Sequence, residues 1–406
     1  MVLLYGDHYD LSGFDHPGGR HLIELLETSP DPELLLQYYH AFGTLRGALA
    51  KYSTQTGSSH CPKNDKFKEH DELRALVKRS IGQTRMAWYK TMDHICHQVG
   101  YLGYMAVYMT LLYGSWMHLV LAGFLYSFST IWCTHGNSHG IGNPRLPGVS
   151  TLFSAVATLP WGVEHIRTHH VYSNQIVDQD GNRTDPDIVI GAPFIRMCRT
   201  DRWYWWHRFQ CLYFYPMVAV SGIFIVILDV VNILRGGFGL LDHQIDMRRP
   251  FLTTRLLHLL QKLAYIFIWY ILPGIHTSIP VSCMRMCWLA AFTGIANFFI
   301  NTISHCNDKI GAPGDVWDVV ALQMGTTVDV HPGNPVVNVL TAGLSHQVVH
   351  HLFPGFPFTS YPEISHILRR EYTDRYKTFP TYFHAAYSQL RYLYRLGTEK
   401  TDFYVG

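Results

Sequence analysis

The sequence predicts two bodies of different kinds: a small α+β module at the N-terminus, then an all-α integral membrane domain of four transmembrane helices with a cytosolic helical cap. Three observations carry this reading. Nearly charge-free apolar segments begin only at about Gly100. The first sixty residues are short, polar-aromatic and turn-rich instead. The 25 histidines fall in small separated clusters rather than in one run, which would suggest a metal-buffering tract.

Composition bounds the function. Of 406 residues, 48% are apolar, 14% aromatic and only 15% charged, which is lean in charge for a soluble chain. A net charge of +2 implies no pull toward nucleic acid or acidic partners. The eight cysteines form no CxxC pair, as expected of a reduced, cytosol-facing protein. MVLLYGDHYD lacks a basic region followed by an apolar core, so no signal peptide is expected and internal segments must insert into the membrane.

The expected boundaries are 1–56 for the N-terminal module, 57–90 for a linker and 91–395 for the membrane domain. Residues 57–75 are charged and weakly hydrophobic. The segments 101–113 and 117–133, separated by Gly-Ser-Trp, read as a hairpin of two spans near the short end of the 17–25 residues required. Apolar segments at about 211–231, 256–275 and 283–303 follow. Arg235, Arg248, Arg249 and Arg255 hold the loop after the first of these in the cytosol by the positive-inside tendency, and Arg196, Arg199, Arg202 and Arg208 do the same before it. The segment at 211–231 is therefore expected to dip in and return, or to lie at the interface. Four full spans result, with both termini and every histidine cluster cytosolic, in a membrane such as the endoplasmic reticulum.

Those clusters carry the chemistry. His135 and His139 follow the second span; His165, His169 and His170 come next; Asn301 and His305 close the last span; His346, Gln347, His350 and His351 lie in GLSHQVVHHLFP. On a helix, residues four apart share a face, so an HxxxH pair can hold one ion, and the second histidine of an HH step turns by ~100° toward a neighbouring one. Any single HxxxH is most simply a structural pair; several of them at span ends are not. Imidazole ligation suits iron, copper or zinc, and the absence of cysteine pairs argues against structural zinc. Some eight histidines suit two ions. Two irons side by side can cleave O₂ and yield an oxidant for an unactivated C–H bond, which at a membrane surface points to a lipid chain.

His135-xxx-His139, His165-xxx-His169-His170 and Gln347-xx-His350-His351 resemble the three histidine boxes of the membrane fatty acid desaturase superfamily, over roughly 90–390. Asn301-xxx-His305 is similar to the extra ligand motif of its acyl-CoA members, where the asparagine acts through water. Gln347 before HHLFP, and the segment 169–188 ending in a DPD, resemble the front-end subgroup, whose enzymes insert a double bond between an existing one and the carboxyl end. The second box has three residues before its HH pair where front-end enzymes often have two. HGNSH lacks the aspartate that many members place after the first histidine. The resemblance implies a di-iron site held by His135, His139, His165, His169, His170, Asn301, His305, Gln347, His350 and His351, with O₂ and a fatty acyl lipid or acyl-CoA as substrates. Trp161 would line the acyl channel or belong to an interfacial aromatic belt.

FDHPGGRHLIELL (14–26) and LLQYYHAFG (35–43) form the second signal. His16 and His40 are too far apart for one helix and suit two loops closing on opposite faces of a flat cofactor. Gly18 and Gly19 leave room for its approach. Filling both axial positions of a haem leaves no site for O₂, so such a centre only passes electrons. A bare HPG turn recurs at 331–333 and is not by itself a signal. The pattern resembles a cytochrome b5-like domain holding haem b through His16 and His40, fused ahead of a front-end desaturase and reduced by an NAD(P)H-dependent cytochrome b5 reductase. Tethered by residues 57–75, it would stand at roughly millimolar effective concentration by short-linker arithmetic.

Two other readings compete. A lipid hydroxylase, or an enzyme acting on a sphingolipid base, would use the same boxes. A membrane electron carrier or metal transporter should bear ionisable residues in mid-span, and few are seen beyond Asp229, Lys262 and Arg285 near segment ends. For GLSHQVVHHLFP, a helical wheel with His346 at zero puts Gln347 at about 100°, His350 near 40° and His351 near 140°. Gln347 falls between the paired histidines. It is the expected third member, although HxxxHH spacing leaves His346 open.

Overall fold

In the computed structural model, the described residues are 1–16, 20–29, 31–40, 48–54, 67–140, 149–175, 185, 187, 191, 193–199, 201–238, 245–246, 252–310 and 318–399. Gly18 and Gly19 lie outside them.

The N-terminal unit is an antiparallel hairpin, β1 (Val2–Leu4) with β2 (Asp7–Tyr9), followed by helices α1 (Arg20–Glu27) and α2 (Pro32–Tyr39). Pro32 and the Asp31 carboxylate, which accepts from the Leu34 amide, set the start of α2. Leu34, Leu35 and Leu36 then turn inward.

This unit is packed against the rest of the chain rather than hung from it. Leu25, Leu26, Leu34 and Leu35 share one core with Leu159, Val163, Ile166 and Val171 of the second histidine segment. Residues 67–90, expected as linker, are helical. In α3 (Lys68–Ile81) the residues His70, Leu73, Arg74, Val77 and Ile81 form a buried stripe at helical spacing beneath an otherwise charged sequence. Asp71 accepts from the Gln37 amide, and Arg74 donates to the carbonyls of Gln37 and Tyr38. Through these contacts α3 holds the C-terminal end of α2 in place.

The long helices follow: α4 (Gln83–Tyr113), α5 (Trp116–Ser138), α6 (Gly162–His169), α7 (Gln210–Arg235), α8 (Leu252–Ile266) and α9 (Ile279–His305). Among the described residues, four helical stretches are long and apolar enough to cross a membrane: Trp116–Ser138, Trp205–Arg235, Arg255–Ile275 and Ile279–His305. These differ from the expected set in two places. The segment 101–113 is the end of the 31-residue α4, whose first half carries Lys90, Asp93, His94 and His97 and lowers its hydropathy. The dip-and-return expected at about 211–231 is instead one unbroken helix of 26 residues, with Pro216 inside it. Apolar helices tolerate an internal proline because neighbouring groups satisfy the freed carbonyl.

Small residues let α7 and α9 touch. A Cβ added to Gly294 would lie 2.8 Å from Gly222 Cα and from the Val218 carbonyl, so only glycine permits this backbone approach. The ionisable residues near segment ends are paired. Lys262 Nζ donates to Asp229 Oδ2 at 2.8 Å, and Arg285 donates to the Leu111 and Gly114 carbonyls at the end of α4. These bonds join neighbouring helices.

A helical cap covers the histidine-bearing ends of α5 and α9. It consists of α10 (Val319–Thr326), α11 (Gln347–Leu352), α12 (Tyr361–Glu371) and α13 (Tyr382–Thr398), with a short parallel pairing of Asp329–Val330 with Thr378–Phe379.

Candidate metal centre

Both histidine segments that flank the bundle sit on widened backbone. Ile131–His135 and Gly162–His169 are π-helical, a local form that recurs at functional sites. The widening changes which side chains meet. The His170 amide donates to the His165 carbonyl, five residues back, and the two Nε2 atoms lie 3.2 Å apart. His169, the i+4 residue, also faces His305 and His351, with ring centroids 4.7 and 4.9 Å distant. Within HIRTHH the i+5 contact of His165 with His170 thus joins the expected i+4 approach of His165 to His169, whose ligand atoms lie within 4.8 Å. In the first segment the α-helical spacing holds: His135 and His139 bring their Nε2 atoms to 3.2 Å.

Two sets result. The ligand atoms of His135, His139, His165 and His350 lie within 4.8 Å of one another, as do those of His169, His305 and His351. The Nε2 atoms of His135, His139 and His165 make a triangle with edges of 3.1, 3.2 and 3.1 Å. One ion about 2.1 Å from each of three mutually perpendicular nitrogens would space them about 3.0 Å apart, so this face fits a metal. His170 stands between the sets, its ring 4.7 Å from His350 and 4.4 Å from His351.

Burial supplies the electrostatics. His139, His165, His170, His350 and His351 are held well below the ordinary histidine range, first by desolvation and then by one another. They are therefore neutral, as metal ligands must be. The Nε2 atoms of His305, His350 and His351 and the Gln347 amide oxygen are buried without a protein hydrogen-bond partner. Buried polar atoms are otherwise nearly always paired, so this concentration marks a place for a cation.

Other residues aim the rings. His169 Nδ1 donates to Asp185 Oδ1 at 3.0 Å, with Asp187 at 3.4 Å. Burial there opposes charge, but the carboxylates of Asp187 and Asp185 outweigh it and lift the imidazole to about 9. His351 Nδ1 donates to Gln323 Oε1 at 2.9 Å, and His139 Nδ1 pairs with the Tyr39 hydroxyl at 2.7 Å. None of these acceptors was singled out in the sequence. The DPD motif was the one available sign; Gln323 and Tyr39 are isolated residues far along the chain from their partners.

In the third segment, helix α11 begins at Gln347, and His346 is its N-cap with non-helical backbone (φ −115°, ψ 59°). A helical wheel therefore does not apply to His346. Its Nδ1 pairs with Ser345 Oγ at 2.9 Å, and among the described residues it joins neither histidine set. Asn301 lies beside Thr302 in the wall of an apolar cavity that also reaches His135 and Trp161 and runs on past Ile225 to the Gly222–Gly294 contact. About 140 Å³ of it is open to the centres of water-sized spheres. Trp161 stacks on His165 at 4.4 Å, closing the metal end.

His16 and His40 face each other with ring centroids 6.1 Å apart. Two imidazoles on opposite sides of one iron, with nitrogens about 2.0 Å from it, place their centroids about 6 Å apart. The space around them, about 530 Å³ on the same measure, is lined by Leu11, Phe14, Leu25, Leu26, Leu35 and Leu49, and it falls in the range of cofactor pockets. The donors and the apolar wall fit a haem.

Apolar helices capped by buried, convergent imidazoles define a membrane protein able to bind metal. The comparisons narrow this class. The fatty acid desaturase model matches residues 110–383, more than half of the chain, and the chain belongs to that family: it is an enzyme, an oxidoreductase of lipid metabolism. It is 25% identical to an acyl-lipid (8-3)-desaturase of Physcomitrium patens over 98% of this chain and 88% of that protein. It is also 25% identical to an acyl-lipid (7-3)-desaturase of Diacronema lutheri over 96% and 88%. An sn-1 linoleoyl-lipid 6-desaturase of Synechocystis is 27% identical over 69% of this chain and 79% of its own.

Proposed function

We propose that the chain is a front-end acyl-lipid desaturase with a di-iron centre, fed by haem b in a cytochrome b5-like unit at 1–56. The observation that carries this is the pair of convergent imidazole sets, the first of which reaches an apolar cavity through His135. His135, His139, His165 and His350 form one ligand group and His169, His305 and His351 the other. His170 stands between them, and Gln347 and Asn301 complete the polar lining. When bound, the iron pair supplies O₂ activation and removal of two hydrogens from an acyl chain. The chain's own residues hold that chain in place. The cavity wall excludes water, Trp161 seals the metal end, and the Gly222–Gly294 contact sets the cavity's narrow reach. The largely apolar wall suits a substrate gripped by its tail.

The relatives' names favour an acyl lipid over an acyl-CoA. Matches over 98% of the chain take in the N-terminal unit. Residues 57–90 join the two units, 91–395 form the catalytic domain, and the metal site faces the cytosol of an endoplasmic reticulum membrane, where an NAD(P)H-dependent reductase reaches the haem.

The test is expression in a yeast-like host fed unsaturated fatty acids, followed by lipid analysis. A new double bond on the carboxyl side of an existing one is expected, and it disappears in His350→Ala/His351→Ala. A hydroxylated chain in its place would overturn the proposal.

A further inference from the structure

Tyr39 lies between the two histidine centres. Its ring stacks on His139 with planes 19° apart and centroids 6.1 Å distant, and its hydroxyl is 2.7 Å from His139 Nδ1. The His139 Nε2 atom faces the Nε2 atoms of His135 and His165 at 3.2 and 3.1 Å. Its lone pair belongs there, so Nδ1 carries the proton and donates it to the phenol oxygen. Tyr39 is also the residue before His40, the C-cap of α2, and His40 and His139 line the same 530 Å³ cavity. The ring is seated against Gly355, just beyond the third histidine segment, where an added Cβ would stand 3.3 Å from Tyr39 Cδ1.

We propose that Tyr39 is a positioning residue that joins the two centres. It fixes the tautomer and angle of His139 as a ligand, and it provides the bonded route from His40 to the metal site. His139 thus receives from the N-terminal unit what His169 receives from Asp185 and His351 from Gln323. The route is short: one peptide unit, one side chain and one hydrogen bond. Its redox half rests on the reading above that the His16–His40 pocket takes haem. In that step one electron leaves the reduced haem iron and one reduces an iron of the pair; the His139 and Tyr39 protons stay in place and no bond breaks. The haem is re-reduced by the NAD(P)H-dependent reductase.

The test uses full-length purified protein. Tyr39→Phe keeps the ring and removes only the acceptor. Tyr52→Phe is the control, because among the described residues its hydroxyl is bonded to the Gly13 carbonyl, at 3.4 Å, and to no histidine. Iron and haem content, iron loss to a chelator, and haem reoxidation in air after photoreduction are measured. Tyr39→Phe is expected to keep the haem absorbance of wild type, to hold iron roughly 10–100-fold more weakly, and to reoxidise its haem more slowly. Tyr52→Phe is expected to match wild type. Iron retention and haem reoxidation both equal to wild type in Tyr39→Phe would overturn the proposal. Wild-type protein without haem absorbance would instead overturn the haem reading and with it the electron route, while iron retention would still decide the positioning role.

Discussion

Asp185 Oδ1 lies 3.0 Å from His169 Nδ1, while its other oxygen accepts the Asn174 amide at 2.6 Å. The carboxylate is thus fixed before it fixes the imidazole. Asp185→Asn keeps the shape, removes the charge and can present an amide N–H to Nδ1. Outer acceptors of metal-bound histidines are worth 10–100-fold in affinity or activity. Asp185→Asn is expected to lose iron by roughly that factor, and Asp185→Ala by more. Metal analysis after dialysis against a chelator checks this; full iron occupancy in both variants would show that the carboxylate is dispensable.

The ligand histidines were legible because they are polar clusters at the ends of apolar stretches, where a satisfied surface role is hard to find. Their grouping was not. Pairing His165 with His170 depends on a π-helical backbone, and nothing in HIRTHH distinguishes that from an α-helix. The acceptors were hidden for another reason: Asp185, Gln323 and Tyr39 lie 16, 28 and 100 residues from the histidines they orient. Such partners are set by packing, which sequence spacing does not encode. The docked N-terminal unit follows the same logic. Leu25 and Leu35 share a core with Val163 and Ile166, which lie more than a hundred residues further along the chain.

Lys262 and Asp229 are fully buried and 2.8 Å apart, and Asp229 Oδ2 also accepts the Ala157 amide at 2.6 Å. Removing one charge strands the other in an apolar bundle. Lys262→Met is expected to cost about 3–5 kcal/mol, and Lys262→Met/Asp229→Leu much less, because apolar replacement of a whole buried pair is often neutral. Thermal unfolding of the detergent-solubilised protein separates the two. Equal losses in the single and double variants would mean that the pair is not coupled.

Ile225 lines the apolar cavity about one helical turn along α7 from Gly222. Ile225→Trp adds bulk where the acyl tail would pass, and overpacking of this kind costs about 1–3 kcal/mol locally. The expected result is a preference for shorter acyl chains, with iron content unchanged, read by competition between lipids of different chain length. An unaltered length preference would place the acyl chain elsewhere.

His70 provides a pH dependence separate from the metal ligands. Its Nε2 donates to the Leu352 carbonyl at 2.8 Å, its ring stacks on Phe353, and Gln37, Tyr38 and Arg74 surround the remainder. Burial, reinforced by the Arg74 charge, pushes it down to about 3, so the folded protein keeps it neutral. In the unfolded chain it titrates near 6.5. Between these values the unfolded state binds more protons, so stability falls as pH drops below about 6.5 and is unaffected by His70 above it. By pH 5 the loss from this residue alone is about 2 kcal/mol. His70→Gln removes the titration and keeps a donor. Melting temperatures of wild type and His70→Gln, taken at pH 7.5 and pH 5, are expected to converge as the pH falls. If the gap between the two is the same at both values, His70 does not titrate on unfolding.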